Sequence, residues 1–304
     1  MHMRALSFLF LWLTFTLPKV DAANCSTVFP DAASSSSSAG GISFNQFARL
    51  IGTDGVIDIP IIRDDTSNSC DTTSCMYSGN PARSLNLPGF NFSNSSQDIT
   101  VSLNSSGTTP QGSYDNIFIE QNSTFHITGN STVTRIDEIH IDDNSTLTLD
   151  NGVYWFNLLD MDSNAKLVIP TGQKVTLYLN TSNFEQNLRF NWDGTPDQLV
   201  LISYSDFSPS TNTFMRGYLY SAQDVIWDNF GKLVGAVNAT NIAIGDVGEF
   251  TLDASSIETA MFDNTCTQDN ELPTPILYYS MDMCSIPSAI PDQVGTNNGS
   301  VAGL

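Results

Sequence analysis

Apolar residues recur along the middle of this chain in an 11-residue unit. Ile117–Ile127 reads I-F-I-E-Q-N-S-T-F-H-I, Ile139–Leu149 reads I-H-I-D-D-N-S-T-L-T-L, and Leu159–Ile169 reads L-D-M-D-S-N-A-K-L-V-I. Val225–Gly235 (V-I-W-D-N-F-G-K-L-V-G) and Ile242–Leu252 (I-A-I-G-D-V-G-E-F-T-L) repeat the pattern. Positions 1, 3 and 9 are apolar in every copy, and position 11 in all but one, with a polar, turn-forming stretch between. One such unit has too little apolar surface to form a core, whereas stacked copies build a continuous one. The starts of successive copies are 22, 20, 66 and 17 residues apart. The gap of 66 has room for three turns of similar length, and it holds the strand candidates Val175–Leu179, Leu199–Ile202 and Gly217–Tyr220. No long stretch has helical periodicity. The pattern predicts an all-β chain, a right-handed parallel β-helix-like coil of about 20 residues per turn. Positions 1 and 3 face inward from one strand, positions 4 and 5 turn the corner, and positions 9 and 11 face inward from the next. Asn122, Asn144 and Asn164 share position 6, where a sharp corner favours Asn in the left-handed conformation. An antiparallel β-sandwich of hairpins is the competing arrangement, but the copies lack the Asn-Gly or Asp-Gly pair that tight hairpins favour.

Outside the repeats the pattern is weaker. Ala32–Gly41 is a Ser/Ala/Gly loop, Ile42–Ile62 alternates well enough for two strands around the Gly52–Gly55 turn, and Arg63–Gly89 has little periodicity. Ile99–Leu103 is a period-two strand. Leu272–Pro275 (L-P-T-P) predicts a stiff linker, after which Ile276–Asp282, Cys284 and Asp292–Gly299 follow a different pattern. We divide the chain into 1–22, a leader; 23–271, the repeat domain; and 272–304, a linker with the opening of a further domain.

The leader reads as a secretory signal. Arg4 precedes an apolar run, Ala5–Leu17, that is shorter than the roughly 20 residues a bilayer span needs, and Val20-Asp21-Ala22 offers small residues for cleavage after Ala22. A membrane anchor is the alternative. Without Arg4, Lys19 and Asp21, the 11 basic and 32 acidic residues become 9 and 31, a net charge of −22. That excess argues against nucleic acid or anionic lipid as partners. Five cysteines in a secreted chain suggest disulfides. Cys70 and Cys75 are spaced to close a small loop, and Cys25 and Cys266 lie near the two ends of the repeats and are the second candidate pair, which leaves Cys284. Ten N-x-S/T sequons, at Asn24, Asn91, Asn94, Asn104, Asn122, Asn130, Asn144, Asn180, Asn238 and Asn298, match either glycan acceptors or corner chemistry.

Reaction chemistry is sparse. Asp142 with Asp143, and Asp160 with Asp162, are the paired carboxylates that a polysaccharide-cleaving coil would use. Corner duty and outward strand positions explain them without catalysis. Lys166 and Lys232 share position 8 and predict neighbours on an exposed column, while Arg135, Arg189 and Arg216 are scattered. His126 and His140 fall at positions 10 and 2, facing out in different columns. Among Trp155, Phe156, Trp192, Trp227 and Phe230, the positions of Trp227 and Phe230 predict core packing, and Trp192 is the candidate for an exposed sugar platform. No zinc spacing, phosphate loop or calcium loop occurs. We assign no catalytic, cofactor or metal residues; acid-rich corners leave loose calcium binding as an expectation.

Several segments resemble the N-terminal half of MshQ-type proteins, which accompany the mannose-sensitive haemagglutinin type IV pilus of Gram-negative bacteria. The likeness rests on Cys25–Asp31, Gly152–Phe156, Leu177–Asn180, Gly217–Ala222 and Gly235–Ala239, and it covers nearly the whole mature chain with moderately specific motifs. The tail from Leu277 resembles the first strands of a laminin-G/concanavalin-like domain, a truncated β-sandwich start of about 30 residues. The resemblance implies a disulfide-bonded extracytoplasmic protein, periplasmic or at the cell surface, with pilus components, other surface components or glycans as partners and no active site. It also implies that Cys284 pairs beyond this sequence. A carbohydrate-active β-helix enzyme, lyase or hydrolase, is the alternative, and a glycosylated eukaryotic wall protein a third.

Overall fold

A computed structural model describes residues 25–52, 70, 76–90, 95 and 97–266 apart from 130–132, together with the short stretches 56–57, 61–63, 289–290 and 299–300. The predicted leader, the 272–275 linker, Cys75 and Cys284 lie outside the described residues, as does most of the predicted further domain. Of that domain Ala289–Ile290 and Gly299–Ser300 are seen, as an antiparallel pair.

The body of the molecule is a parallel β-coil. Ile117 pairs with Ile139, Ile139 with Leu159, and Leu159 with Ser182, steps of 22, 20 and 23 residues. Parallel pairing rules out the hairpin sandwich. Each turn has three sides. The first is exemplified by Val133–Ile136, the second by Glu138–Ile141, and the third by Thr146–Leu149. The ladder skips Asp137 between the first two, and a corner over 142–145 separates the second from the third. Inward positions match the repeat: Ile117, Ile119, Ile127, Ile139, Ile141, Leu147, Leu149, Leu159, Met161 and Leu167 have no exposed surface. Three turns fill the 66-residue gap, through Ser182 opposite Leu159 and Phe207 opposite Val225.

Coil order is not chain order. Ala33–Ser35, Gly41–Phe44 and Arg49–Ile51 form one turn, and they pair in parallel with Lys232–Ala239, Asn241–Ile244 and Glu249–Leu252. The N-terminal turn thus stacks on the last sequential one, and Ile61–Arg63 and Cys70 extend it further. The strands expected around Gly52–Gly55 exist, and Gly41–Ser43 does pair with Ile61–Arg63, but in parallel as successive turns; Gly41–Phe44 and Arg49–Ile51 also pair with strands about 200 residues away. Residues 82–90, 95 and 97–98 lie along the first side towards the other end of the coil. Ala82 donates its N–H to the Ser35 carbonyl, Asn86 to Thr265, and the Ser95 hydroxyl to the Ser113 carbonyl.

The corner between the second and third sides is a single column of left-handed residues. It runs Asn104, Asn122, Asn144, Asn164, Asn187, Asn212, Phe230, Val247 and Phe47, all with φ between 55° and 63°. From Asn104 through Val247, each backbone N–H in this column donates to a carbonyl at the corner of the next turn. Asn tolerates this conformation; a bulky or β-branched residue does so at roughly 1–2 kcal/mol. Phe230, read from the sequence as inward, is instead 54% exposed, because position 6 is the corner itself, whereas Trp227 is buried as expected. Phe230→Asn is therefore expected to stabilise the protein by about 1 kcal/mol, measured as a higher denaturation midpoint. An unchanged or lower midpoint would show that the exposed ring makes up the backbone cost.

Candidate functional surface

The first side of the coil is covered. Trp155, Tyr178, Val200, Ile202, Tyr218 and Tyr220 face outward from it, yet they are buried under Val28, Phe29, Leu85, Ile257 and Phe262. Trp155 stacks on Tyr178 at 4.1 Å and meets Phe90 edge-on at 5.3 Å, and Phe156 points inward. Neither is a sugar platform. The covering 253–266 segment accepts hydrogen bonds from the coil: Thr176 to the Met261 carbonyl, Tyr178 to Asp263, and Tyr218 to the Asp253 carbonyl. Burial drives the Tyr178 and Tyr218 phenols well above their usual range. The Cys25–Cys266 disulfide ties this layer together. A cavity of about 370 Å³ beside it is lined by Ile257, Glu258, Met261 and Asp263, among others, and by none of the carboxylates singled out in the sequence.

Those carboxylates gather on the second side and its corner. Asp160 accepts from His140 Nδ1 at 2.9 Å and from Asn183 at 2.9 Å, and Asp162 lies 3.6 Å from His140 Nε2. Asp142 and Asp143 sit one turn away, with carboxylate oxygens close to those of Asp162. His126 belongs to the third side, 2.8 Å from Asp150, so the two histidines occupy different columns as expected. Most of the acids on these turns bond across to an adjacent turn: Glu120 accepts from the Leu103 N–H, Glu185 from Ser163, and Asp137 from Asn157.

Burial pushes the Asp162 carboxyl up, and Asp160, Glu185 and Asp142 push the same way against the opposing pull of His140. A carboxyl whose pKa is raised on folding contributes stability below its unfolded pKa and loses it as pH rises through the folded one. Ionised Asp162 is therefore unfavourable at neutral pH. Asp162→Asn is expected to raise the melting temperature at pH 7 and to leave it unchanged near pH 3, where both side chains are neutral. A lower melting temperature at pH 7 would show that the His140 contact outweighs the repulsion.

The third side carries a different chemistry. Position 8 of successive turns runs Ser106, Thr124, Thr146, Lys166, Arg189, Phe214, Lys232, Glu249 and Arg49. Lys166 and Lys232 do share an exposed column, with Arg189 and Phe214 between them. Arg189 and Arg216, scattered in sequence, meet here on two aromatic rings. The Arg189 guanidinium lies 3.9 Å from the Phe214 ring centre, and that of Arg216 4.9 Å from Trp192. Trp192 and Phe214 are 5.0 Å apart, so Trp192 is half-buried beside the column rather than free. Arg135 lies apart, near Trp155 on the first side.

No family model matches the chain, and no curated protein matches it. Among solved structures, it is similar to the DUF3494 domain of an ice-binding protein from Shewanella frigidimarina, at 13% identity over 76% of this chain and 97% of that one, with a TM-score of 0.36. At this overlap the likeness carries no functional argument, and the surface is read from its own residues.

Proposed function

We propose that the chain is the coil portion of a non-catalytic, extracytoplasmic scaffold in a pilus-biogenesis or cell-surface adhesion protein. The observation that carries this reading is the use made of the outward polar groups. Of the carboxylates a polysaccharide-cleaving coil would need, Asp160 accepts from His140 and Asn183 on the turns to either side, Asp143 accepts from Gln121 of the neighbouring turn, Asp162 faces His140 of the neighbouring turn, and Asp142 accepts the Asp143 N–H within its own corner. The disulfide fits an oxidising compartment, and no helix among the described residues is long and apolar enough to cross a membrane. The resemblance of Gly152–Phe156 and Gly217–Ala222 to MshQ-type segments supplies the pilus context. In this role the coil holds a downstream domain away from its anchor and presents its uncovered sides to the surroundings. Gene deletion in the source organism, with pilus display and surface attachment as readouts, tests the proposal. Impaired attachment or display is expected. Normal attachment and display, or purified protein that depolymerises a polysaccharide through Asp142 or Asp162, would overturn it.

A further inference from the structure

Resting on the scaffold reading, we infer that the third side binds an acidic polysaccharide, with pyranose rings against Trp192 and Phe214 and carboxylates against Lys166, Arg189, Arg216 and Lys232. Charge distribution is the first argument. The chain has 32 acidic and 11 basic residues. Yet five of those basic residues, Arg49, Lys166, Arg189, Arg216 and Lys232, project from this one side. Among the described residues, Glu249 and Asp193 are the acids beside these cations, and Asp150 lies further along the same side against His126. Burial pushes the Glu249 carboxyl up, but bonds from Arg49 at 2.7 Å and Lys232 at 3.4 Å prevail and hold it below the usual range. Among the described residues, Lys166, Arg189 and Arg216 have no carboxylate within ion-pairing distance. This strip is a local positive region on a strongly negative molecule, and it selects an anion.

Pairing of cations with rings is the second argument. Arg189, Phe214, Trp192 and Arg216 form a contiguous cluster in which two tilted rings lie between two guanidiniums. The guanidiniums are held in place by backbone carbonyls: Arg189 Nη1 donates to Leu188 and Asn212, and Arg216 Nη1 to Gly194. Their orientation is set before any ligand arrives, which lowers the entropy lost on binding. The Arg216 Nε donor is buried with no acceptor, so the cluster does not satisfy itself. Half-buried aromatic faces beside fixed cations suit a ligand whose units each carry an apolar ring face and a negative group.

Repeat spacing is the third argument. Neighbouring parallel strands lie about 4.8 Å apart, so Lys166, Arg189, Phe214 and Lys232 form a straight row of roughly 14 Å. A linear polymer of charged sugar units can follow such a row, whereas a small anion would engage only one step of it.

Calorimetric titration of the purified chain with oligogalacturonate tests the inference, with the methyl-esterified oligomer and single-stranded DNA as comparison ligands. Binding to the acidic oligomer that weakens as salt rises is expected, with none to the ester. Lys166→Glu and Trp192→Ala are each expected to weaken it roughly three- to tenfold. Thr124→Glu, two turns from Lys166 on the same column, should leave it unchanged. Because Trp192→Ala disturbs packing, the exposed Lys166→Glu variant with an unaltered melting curve is the deciding one. Three outcomes would overturn the inference: no binding, equal binding to DNA, or full affinity in Lys166→Glu. A null titration alongside impaired attachment on gene deletion removes the glycan strip and leaves the scaffold standing. Titration that proceeds with cleavage of the oligomer removes the scaffold instead.

Discussion

Replacing Cys25 and Cys266 together by serine is expected to lower stability by about 5 kcal/mol. The disulfide spans 241 residues of sequence, and the entropy it removes from the unfolded chain grows with the logarithm of that separation. Its position adds to the effect. Cys25 precedes the N-terminal turn, which stacks on the last sequential turn, and Cys266 ends the segment that covers the first side. Without the crosslink, the N-terminal turn must find a docking site some 200 residues away, held by parallel pairing at 33–35, 41–44 and 49–51 and by the Ser34 and Ser35 hydroxyls on the Val237 and Thr240 carbonyls. Residues 33–51 should then exchange their amide hydrogens well before the central turns do, because the end of the coil can open alone. Denaturant melts of the double variant measure the energy, and hydrogen exchange measures the order. A loss below about 2 kcal/mol, or uniform exchange, would show that the terminal turn is held by its strands and not by the crosslink.

Gly235→Ala is expected to cost about 3 kcal/mol or more. At Gly217 and Gly235 the third side of one turn runs directly into the first side of the next. Phe214–Ser221 and Lys232–Ala239 are continuous strands through that corner, and the two glycines face each other across the ladder. Gly235 has φ 140°, and a Cβ there would come within 1.9 Å of the Gly217 carbonyl oxygen. The obstacle is backbone, so no side chain can rotate away, and the whole corner must shift. Gly89→Ala is the control: its Cβ would meet nothing within 4 Å, and a change within about 0.5 kcal/mol is expected. Equal melting curves for the two variants would show that the corner is more pliable than its packing indicates.

Much of the coil is legible from local pattern. Side chains alternate across a strand, so the apolar spacing assigns Ile139, Ile141, Leu147 and Leu149 to the interior without reference to any partner. Asn144 and its equivalents mark the corner because few other residues accept the left-handed backbone. The N-terminal turn was legible in the same way. Ile42–Gly52 reads I-S-F-N-Q-F-A-R-L-I-G, which follows the template of Val225–Gly235 in its apolar positions, in its position-6 Phe and in its final Gly. That shared Phe at position 6 was the signal that Phe230 lies on the corner, since Phe47 is 80% exposed at the same place. The candidate surface was harder to see. Position 8 identifies Lys166 and Lys232 as one column, but Arg189 and Phe214 join it through copies whose first positions, Ser182 and Phe207, carry the template only weakly. Arg216 and Trp192 lie outside position 8 and reach the strip through side-chain contacts.

Which residues face inward, where the chain turns and that its strands stack in parallel all follow from short-range periodicity. Steric rules act there over a few residues and need no information from elsewhere in the chain. The order of stacking is a different matter. An inward-facing code is the same in every turn, so it cannot say that residues 33–51 sit beyond residue 252 rather than before residue 99. That choice was made in three dimensions, where the open strand edge of the last turn had backbone groups to satisfy and the N-terminal strands satisfied them. The same packing closed the first side under residues 82–90 and 253–266, which left the second and third sides to meet other molecules.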